Sequence, residues 1–257
     1  ITLALGYRPP YLWEEMLDFL AGRAITGVDT VKDGAYMRTV NLKNAAGENI
    51  FGCVRVATNP KKNALKVTIS ATLLSVLPQV LARIKHLFDL YCDPNAVHET
   101  LQAMNAIKPG LCVLGTRVPG CFNAFEMAVR AVLGQQISVK AAGTLAARIV
   151  DTYGRPFQNG IEGLTHIFPP PETVLAFGED IAVRLGVLGV TSARSGVIYE
   201  LARALEQGDI NFEHSTQPET EMAKLLQIRG TGNWTEHYIA RRAMAWTDEY
   251  LETNVGL

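Results

Sequence analysis

Two glycines separated by a single threonine, Gly230-Thr231-Gly232, form the most distinctive short motif in the chain. Segments whose apolar residues have helical spacing lie on both sides of it, over residues 225–228 and from about residue 233 to residue 246. Only small residues permit so tight a turn between two helices. The pattern therefore predicts a helical hairpin with a glycine turn.

This turn has the chemistry of a phosphate-binding site. The backbone N–H groups of Gly230, Thr231, Gly232 and Asn233 would point out of the amino terminus of the second helix, an arrangement that commonly binds one phosphate. Arginines at positions 229, 241 and 242 add positive charge nearby. We therefore interpret the hairpin as a contact to a nucleic-acid backbone, with an ordinary helical hairpin inside a bundle as the alternative.

The segments before the hairpin divide into two parts. The first part, residues 1–91, contains five strand patterns and two helix patterns, and it predicts a small antiparallel sheet with two helices on one face. The strands are predicted at 2–7, 27–31, 35–42, 49–58 and 64–70, and the helices at 11–24 and 74–91. Strand patterns then stop, so residues 92–257 predict an all-helical region. The expected fold class is α+β.

Composition restricts the class of protein. The chain has 257 residues, is 48% hydrophobic and has a formal net charge of −1, which suits a packed two-domain protein and argues against a histone-like DNA binder. No apolar run reaches about 18 residues, so we expect no membrane span. The four cysteines include no CxxC pair, which favours reduced thiols over a metal or disulfide framework. We expect a cytoplasmic monomer, associated with the nucleoid if the source is bacterial.

Four stretches together carry a resemblance to a known family. They are 8–24 (RPPYLWEEMLDFLAGRA), 118–142 (VPGCFNAFEMAVRAVLGQQISVKAA), 185–205 (LGVLGVTSARSGVIYELARAL) and 228–243 (IRGTGNWTEHYIARRA). In type and order they resemble the helix-hairpin-helix DNA glycosylases, most of all the 3-methyladenine DNA glycosylase II (AlkA-type) branch. The resemblance implies a base-excision repair enzyme that flips alkylated, cationic purines from duplex DNA and hydrolyses the N-glycosidic bond. The implied partner is double-stranded DNA with alkylated bases or abasic sites.

The resemblance also assigns roles to individual residues. In similar enzymes a side chain in the loop at 134–138 fills the gap left by the flipped nucleotide, and by position this is Gln136. Trp234 and Tyr238, four residues apart, share one helix face and would form the base pocket. An electron-rich aromatic face attracts a cationic base more than a neutral one, by roughly 0.5–2 kcal/mol. Both aromatic residues packing in the core is the alternative.

The catalytic position departs from the family pattern. Cleavage of the N-glycosidic bond develops positive charge on the sugar, so a carboxylate is required near C1′. The resemblance places this aspartate at residue 254, where the chain has Asn254. Two interpretations follow: an inactivated variant that traps bound DNA, or a natural binder with weak or absent turnover. Asp248, Glu249 and Glu252 are the nearby substitutes.

Further expectations come from the same resemblance. Relatives that cleave the DNA strand have a lysine nucleophile where this chain has Trp234, so the implied reaction is monofunctional. No cofactor is required, although the carbonyl groups of Leu226, Ile228 and Gly230 would suit a structural Na⁺ or K⁺ ion. Similar proteins have further helices after residue 254, so we expect C-terminal helices to be missing here.

Two other functions remain open from the sequence. A non-enzymatic DNA-binding protein would use the hairpin for sequence-independent phosphate contacts, with equal affinity for intact and damaged duplexes. A helical protein-interaction domain would bind no DNA at all.

Overall fold

The computed structural model describes residues 1–212 and 217–246, which form two compact units. The first unit contains Ile1–Gly22 and Asp29–Phe122, and the second contains Arg23–Val28 with the described residues from Asn123 onward. The chain therefore passes between the units at residues 22/23, 28/29 and 122/123. None of the helices in the described ranges combines the length and the apolar character needed to cross a membrane.

An antiparallel five-stranded sheet forms the centre of the first unit. Its strands are β1 (Thr2–Gly6), β2 (Asp29–Lys32), β3 (Ala35–Lys43), β4 (Asn49–Asn59) and β5 (Ala64–Ile69), in the spatial order β1-β5-β4-β3-β2. The hairpin between β2 and β3 turns at Asp33-Gly34, where both residues have positive φ (51° and 65°). That conformation matches the twist of the flanking strands. The α+β fold class predicted from the sequence is confirmed.

Three helices accompany this sheet: α1 (Trp13–Ala21), α2 (Leu77–Leu87) and α3 (Pro94–Leu101). The first two bury their apolar faces against the sheet in a single hydrophobic core. Helix α2 is shorter than the predicted 74–91. A 3₁₀ segment, Ala71–Val76, precedes it, because Pro78 fits only in the first turn of an α-helix. Asp89, with φ +50°, follows its end.

The first unit extends beyond the predicted domain boundary at residue 91. Arg117 is buried, and its guanidinium group joins segments that are distant in sequence. It donates hydrogen bonds to the carbonyl oxygens of Asp89 (3.3 Å), Cys92 (2.8 Å), Pro10 (3.2 Å) and Arg8, and its Cζ lies 5.0 Å from the centre of the Tyr11 ring. These bonds attach residues 92–122 to the sheet unit, so that the two units divide between Phe122 and Asn123.

Regular structure in the described part of the second unit is helical apart from one small ladder and an isolated bridge between Gly27 and Leu164. Its helices are α4 (Ala124–Leu133), α5 (Val139–Tyr153), α6 (Pro171–Leu175), α7 (Ile181–Gly186), α8 (Ser192–Glu206), α9 (Pro218–Gln227) and α10 (Asn233–Ala243). The ladder pairs β6 (Arg155–Pro156) with β7 (His166–Ile167) and corrects the prediction of an all-helical region. Gly154 permits it, because a Cβ there would lie 2.4 Å from the Val150 carbonyl oxygen and 2.9 Å from that of Ile167.

Local side-chain caps fix the helices that carry the predicted site. The Asn123 side chain accepts a hydrogen bond from the Glu126 N–H at the start of α4, and the Ser138 hydroxyl accepts one from the Ala141 N–H at the start of α5. Polar caps of this kind satisfy N–H groups that have no partner within the helix. The loop that contains Gln136 therefore lies between Gly134, which ends α4, and Ser138, which caps the start of α5.

Candidate nucleic-acid interface and base pocket

Helices α9 and α10 form the predicted hairpin. Its turn is closed by two backbone hydrogen bonds, from the Ile228 N–H to the Leu225 carbonyl oxygen and from the Thr231 N–H to the Ile228 carbonyl oxygen, both 3.0 Å long. Gly230 has φ +97°, and a Cβ on it would lie 2.7 Å from Cγ2 of Val197 in α8. Both the conformation and the close packing therefore require glycine at this position.

The second glycine of the turn has a different role. Gly232 is the N-cap residue of α10, it supplies no side-chain cap, and a Cβ on it would meet no atom within 4 Å. The N–H groups of Asn233 and Trp234 lie in the first helical turn, where helix geometry provides no backbone acceptor. Gly232 and Asn233 are exposed. This end of α10 therefore presents backbone donors on an open surface, as a phosphate contact requires.

Thr231, between the two glycines, is oriented inward. Its side chain is buried, its hydroxyl group has no hydrogen-bond partner among the described residues, and its N–H already donates to Ile228. The exposed donors of the predicted phosphate site are thus on the glycine and asparagine side of the turn.

Two of the three carbonyl groups expected at a monovalent cation are already hydrogen-bond acceptors. The Ile228 carbonyl accepts from the Thr231 N–H, and the Gly230 carbonyl accepts from Nε2 of Gln135 at 3.1 Å. A carbonyl oxygen has two lone pairs, so both retain one for a cation. A set of carbonyl oxygens suits Na⁺ or K⁺ chemically, and the ion stays a prediction. Within the described ranges no cluster of three or more histidine, cysteine or acidic side chains could hold a metal.

The two aromatic residues predicted for the base pocket are in direct contact. The rings of Trp234 and Tyr238 are stacked, with centroids 5.1 Å apart and planes 8° from parallel. A third ring between them would require a separation of about 7 Å, twice the ordinary carbon–carbon contact distance. A base therefore cannot enter between the two rings as they stand. Any aromatic contact with a base would have to use an outer face of the stacked pair, and the predicted one is the face of Trp234 that points away from Tyr238.

Arg242 continues this row one helical turn further along α10. Its Nη1 donates to the Tyr238 hydroxyl oxygen at 3.1 Å, and its Cζ lies 5.7 Å from the centre of the tyrosine ring. Since residues four apart share a helix face, tryptophan, tyrosine and arginine form one continuous row, which we call the α10 row. Sequence reasoning identified its two aromatic members but took Arg242 only as positive charge near the turn, although the spacing of four residues was a signal for its place in the row.

The electrostatic environment of Tyr238 is strongly positive. Burial alone would raise the pKa of this phenol, yet Arg242, Arg23 and Arg130 stabilise the phenolate and hold the pKa below its ordinary value. Arg23 also forms a side-chain hydrogen bond with Tyr238. Arg23 comes from the short Arg23–Val28 segment of the second unit and Arg130 from α4. The tyrosine end of the row is therefore unfavourable for a cation.

Gln136 lies at the tip of the loop between α4 and α5. It is exposed and has φ +55°, a left-handed conformation that is uncommon for residues other than glycine. Its neighbour Gln135 contacts the hairpin instead: Nε2 donates to the Gly230 carbonyl at 3.1 Å and to Oγ1 of Thr235 at 2.8 Å. Sequence reasoning missed Gln135 because its partners lie 95 and 100 residues away.

The catalytic position is outside the described residues. Asn254 and its three acidic substitutes, Asp248, Glu249 and Glu252, all follow residue 246, so the geometry of the described site consists of the hairpin, the α10 row and the loop at Gln136.

Comparison with known proteins agrees with this architecture. Residues 2–123 match the family model of the AlkA N-terminal domain, which ends next to the boundary between the two units. The chain is 36% identical over 247 residues to DNA-3-methyladenine glycosylase 2 of Escherichia coli (strain K12), covering 96% of this chain and 82% of that protein. It is 32% identical over 258 residues to a probable bifunctional transcriptional activator/DNA repair enzyme AlkA of Mycobacterium tuberculosis, covering 100% of this chain and 49% of that protein.

A solved structure shares the fold. The 3-methyladenine DNA-glycosylase from Archaeoglobus fulgidus superposes with a TM-score of 0.72 at 19% sequence identity, over 95% of this chain and 80% of the other. The extent of the E. coli match, together with the sheet unit, the helical unit and the hairpin, identifies the family. The chain belongs to the AlkA-type 3-methyladenine DNA glycosylase II family of helix-hairpin-helix glycosylases.

Proposed function

We propose that the chain is a monofunctional base-excision repair glycosylase that flips alkylated purines such as 3-methyladenine from duplex DNA. One observation carries the proposal: the exposed amino-terminal end of α10, where we predict a phosphate contact, and the ring of Trp234 belong to the same helical turn. A nucleotide rotated out beside the bound phosphate would therefore meet the tryptophan face at once. The names of the relatives, which include DNA-3-methyladenine glycosylase 2, support this substrate class.

Binding to DNA would begin at the hairpin. The N–H groups of Gly232, Asn233 and Trp234 are proposed to hold one phosphate of the damaged strand, and this contact is independent of base sequence. Gln136 is proposed to enter the stack from the loop between α4 and α5. An amide in the gap can pair with the orphaned base, which offsets part of the few kcal/mol that unstacking costs.

Base selection would follow from charge. Alkylation at N3 or N7 makes a purine cationic, and a cation on the open face of Trp234 gains roughly 0.5–2 kcal/mol over a neutral base. The three arginines around Tyr238 oppose a cation at the other end of the α10 row. They are proposed to keep the base at the tryptophan end. This modest selectivity suffices for a lesion whose glycosidic bond is already weak.

The reaction is a hydrolysis. The C1′–N bond breaks, its electron pair leaves with the purine, and the cationic base becomes neutral. Water adds to C1′ and loses a proton, while a carboxylate stabilises the positive charge that develops on the sugar. With Asn254 in the carboxylate position, we propose that this chain binds and flips the base but turns over slowly. No amine nucleophile is available at residue 234, so the product is an abasic site and the strand stays intact.

No cofactor takes part in this hydrolysis. A Na⁺ or K⁺ ion, if bound, would lie at the carbonyl groups of Leu226, Ile228 and Gly230 and would add positive charge beside the phosphate.

The proposal is tested by restoring the carboxylate. Duplex DNA treated with a methylating agent is incubated with the wild-type chain and with Asn254→Asp, and released bases are separated by chromatography. We expect Asn254→Asp to release 3-methyladenine at least about a hundredfold faster, the scale of one electrostatic contact to the transition state. Asn95→Asp, the same substitution at an exposed position of the sheet unit, serves as the control and should leave the release rate unchanged. Binding of damaged DNA by Asn254→Asp without release of any base would refute the catalytic assignment.

A non-enzymatic DNA-binding protein is the second candidate, and Asn254 is the observation that favours it. This alternative predicts that Asn254→Asp releases no base. It also predicts that the wild-type chain binds intact and abasic-site duplexes with equal affinity, and that this affinity falls steeply as the salt concentration increases.

A further inference from the structure

Gln135 connects the loop that carries Gln136 to the phosphate-binding turn. Both N–H groups of its side-chain amide are used, one on the Gly230 carbonyl at 3.1 Å and one on Oγ1 of Thr235 at 2.8 Å. The backbone carbonyl oxygen of Gln135 accepts a hydrogen bond from Nη2 of Arg194 in α8. One glutamine thus joins α8, the loop after α4, the hairpin turn and the first turn of α10, all within the second unit.

The loop's own backbone holds it only weakly. Its own backbone hydrogen bonds, from the Gln135 N–H to the Val132 carbonyl and from the Ile137 N–H to the Gly134 carbonyl, are 3.3 and 3.4 Å long, at the weak end of the range. Gln136 is in a left-handed conformation that is itself unfavourable for glutamine. A loop that separates stacked bases meets resistance from the duplex, so it requires support from outside its own backbone.

We propose that Gln135 is a positioning residue that fixes the insertion of Gln136 at a set distance from the phosphate held by the hairpin. The bond from Gln135 to the Gly230 carbonyl directly connects the loop that inserts Gln136 to the turn that binds the phosphate. Phosphate binding and insertion between the bases therefore occur as one event. This inference rests on the proposed function, because it requires that Gln136 enters DNA.

The chemistry of the contact explains why an amide is required. Gly230 offers only an acceptor here, and a side-chain amide nitrogen supplies two donors at once. A carboxylate or an apolar chain of the same length would supply none. Thr235 is buried and accepts through its hydroxyl group, so Thr235→Val removes the acceptor at constant shape, and Thr235→Ser keeps it.

The test measures discrimination between two duplexes. Affinity for a duplex containing a tetrahydrofuran abasic-site analogue is divided by affinity for the intact duplex, for wild type, Gln135→Ala, Gln136→Ala and the double variant. We expect each single variant to lower this ratio about tenfold, the scale of one hydrogen bond, and the double variant to lower it no further. Thr235→Val should lower the ratio as well, whereas Thr235→Ser, which keeps the hydroxyl acceptor, should retain the wild-type ratio.

Matched controls separate positioning from a general loss of structure. Asn159 is another side-chain amide whose nitrogen donates to two backbone carbonyls, at 3.2 and 2.9 Å, so Asn159→Ala should leave the ratio unchanged. Thr144→Val, on the exposed side of α5, is the control for Thr235→Val. A purely structural role for Gln135 would lower both affinities in parallel and leave the ratio constant.

Two negative outcomes are distinguishable. If wild type discriminates between the duplexes but Gln135→Ala retains the full ratio, or if the effects of Gln135→Ala and Gln136→Ala multiply, the inference is overturned and the proposed function stands. If wild type shows no preference for the abasic-site analogue, the proposed function and the inference are both rejected.

Discussion

The rings of Trp234 and Tyr238 lie 5.1 Å apart and almost parallel, so each closes one face of the other. This contact assigns the two aromatic residues different tasks. Tyr238 has Trp234 on one side and Arg242 at its hydroxyl group, so we propose that it supports the tryptophan, which would be the aromatic surface for a flipped base.

The first prediction separates these tasks by substitution. Trp234→Ala should weaken binding to a duplex that contains a flipped alkylated base by roughly two- to thirtyfold, the equivalent of 0.5–2 kcal/mol of cation–π attraction. Tyr238→Phe retains the stacked ring and should change this affinity less than about twofold. Fluorescence anisotropy at fixed salt measures both. A larger loss in Tyr238→Phe than in Trp234→Ala would show that the base contacts the tyrosine.

The second prediction concerns pH. Partial burial alone would raise the pKa of Tyr238, but its arginine neighbours hold that pKa below the ordinary value, and the phenolate is therefore more stable in the folded protein than in the unfolded chain. The resulting contribution to the free energy of unfolding is fully present above the unfolded pKa, near 10, and is lost as the pH falls through the lower folded value. The difference in stability between wild type and Tyr238→Phe should therefore grow as the pH rises toward 10. Urea unfolding at several pH values measures it, and a constant difference would contradict the assignment.

The third prediction uses the two glycines of the turn as a matched pair. Gly230→Ala places a Cβ 2.7 Å from Val197 at φ +97° and should destabilise the protein by about 1–3 kcal/mol. Gly232→Ala meets no atom within 4 Å and should cost under about 1 kcal/mol. We expect Gly232→Ala to weaken duplex binding all the same, because its new methyl group would lie where the proposed phosphate contact is made. Urea unfolding and duplex titration measure the two effects separately. Unchanged DNA affinity in Gly232→Ala would exclude this glycine from the interface.

The fourth prediction separates backbone from side chain at Gln136. Both Gln136→Ala and Gln136→Gly remove the amide, so both should lose the preference for an abasic-site duplex while binding intact DNA normally. Because φ is +55°, Gln136→Gly should be more stable than Gln136→Ala by about 1 kcal/mol. Thermal unfolding tests the stability difference. Retention of the preference in both variants would exclude Gln136 as the inserted residue.

Sequence patterns predicted what local rules determine. Strand patterns in the first 91 residues predicted the sheet, and helical spacing predicted that Trp234 and Tyr238 share a face. The patterns did not predict the contacts that join distant segments. Arg117 binds carbonyl groups at Arg8 and Cys92 and so moves the unit boundary to Phe122. The spacing of apolar residues along the chain cannot predict such a hydrogen bond, because its donor and acceptor come together only in the folded protein.

The short segment Arg23–Val28 has a consequence for the modularity of this chain. It belongs to the helical unit, where the Gly27 carbonyl accepts hydrogen bonds from the N–H groups of Thr165 (2.8 Å) and His166 (2.9 Å), while Arg23 bonds Tyr238. The helical unit therefore cannot be excised, fused or exchanged as a contiguous fragment. A gene fragment that begins at Asn123 would encode the hairpin and the loop at Gln136 but would omit Arg23, one of the three arginines around Tyr238. Recombination that preserves this enzyme must keep both units on one chain.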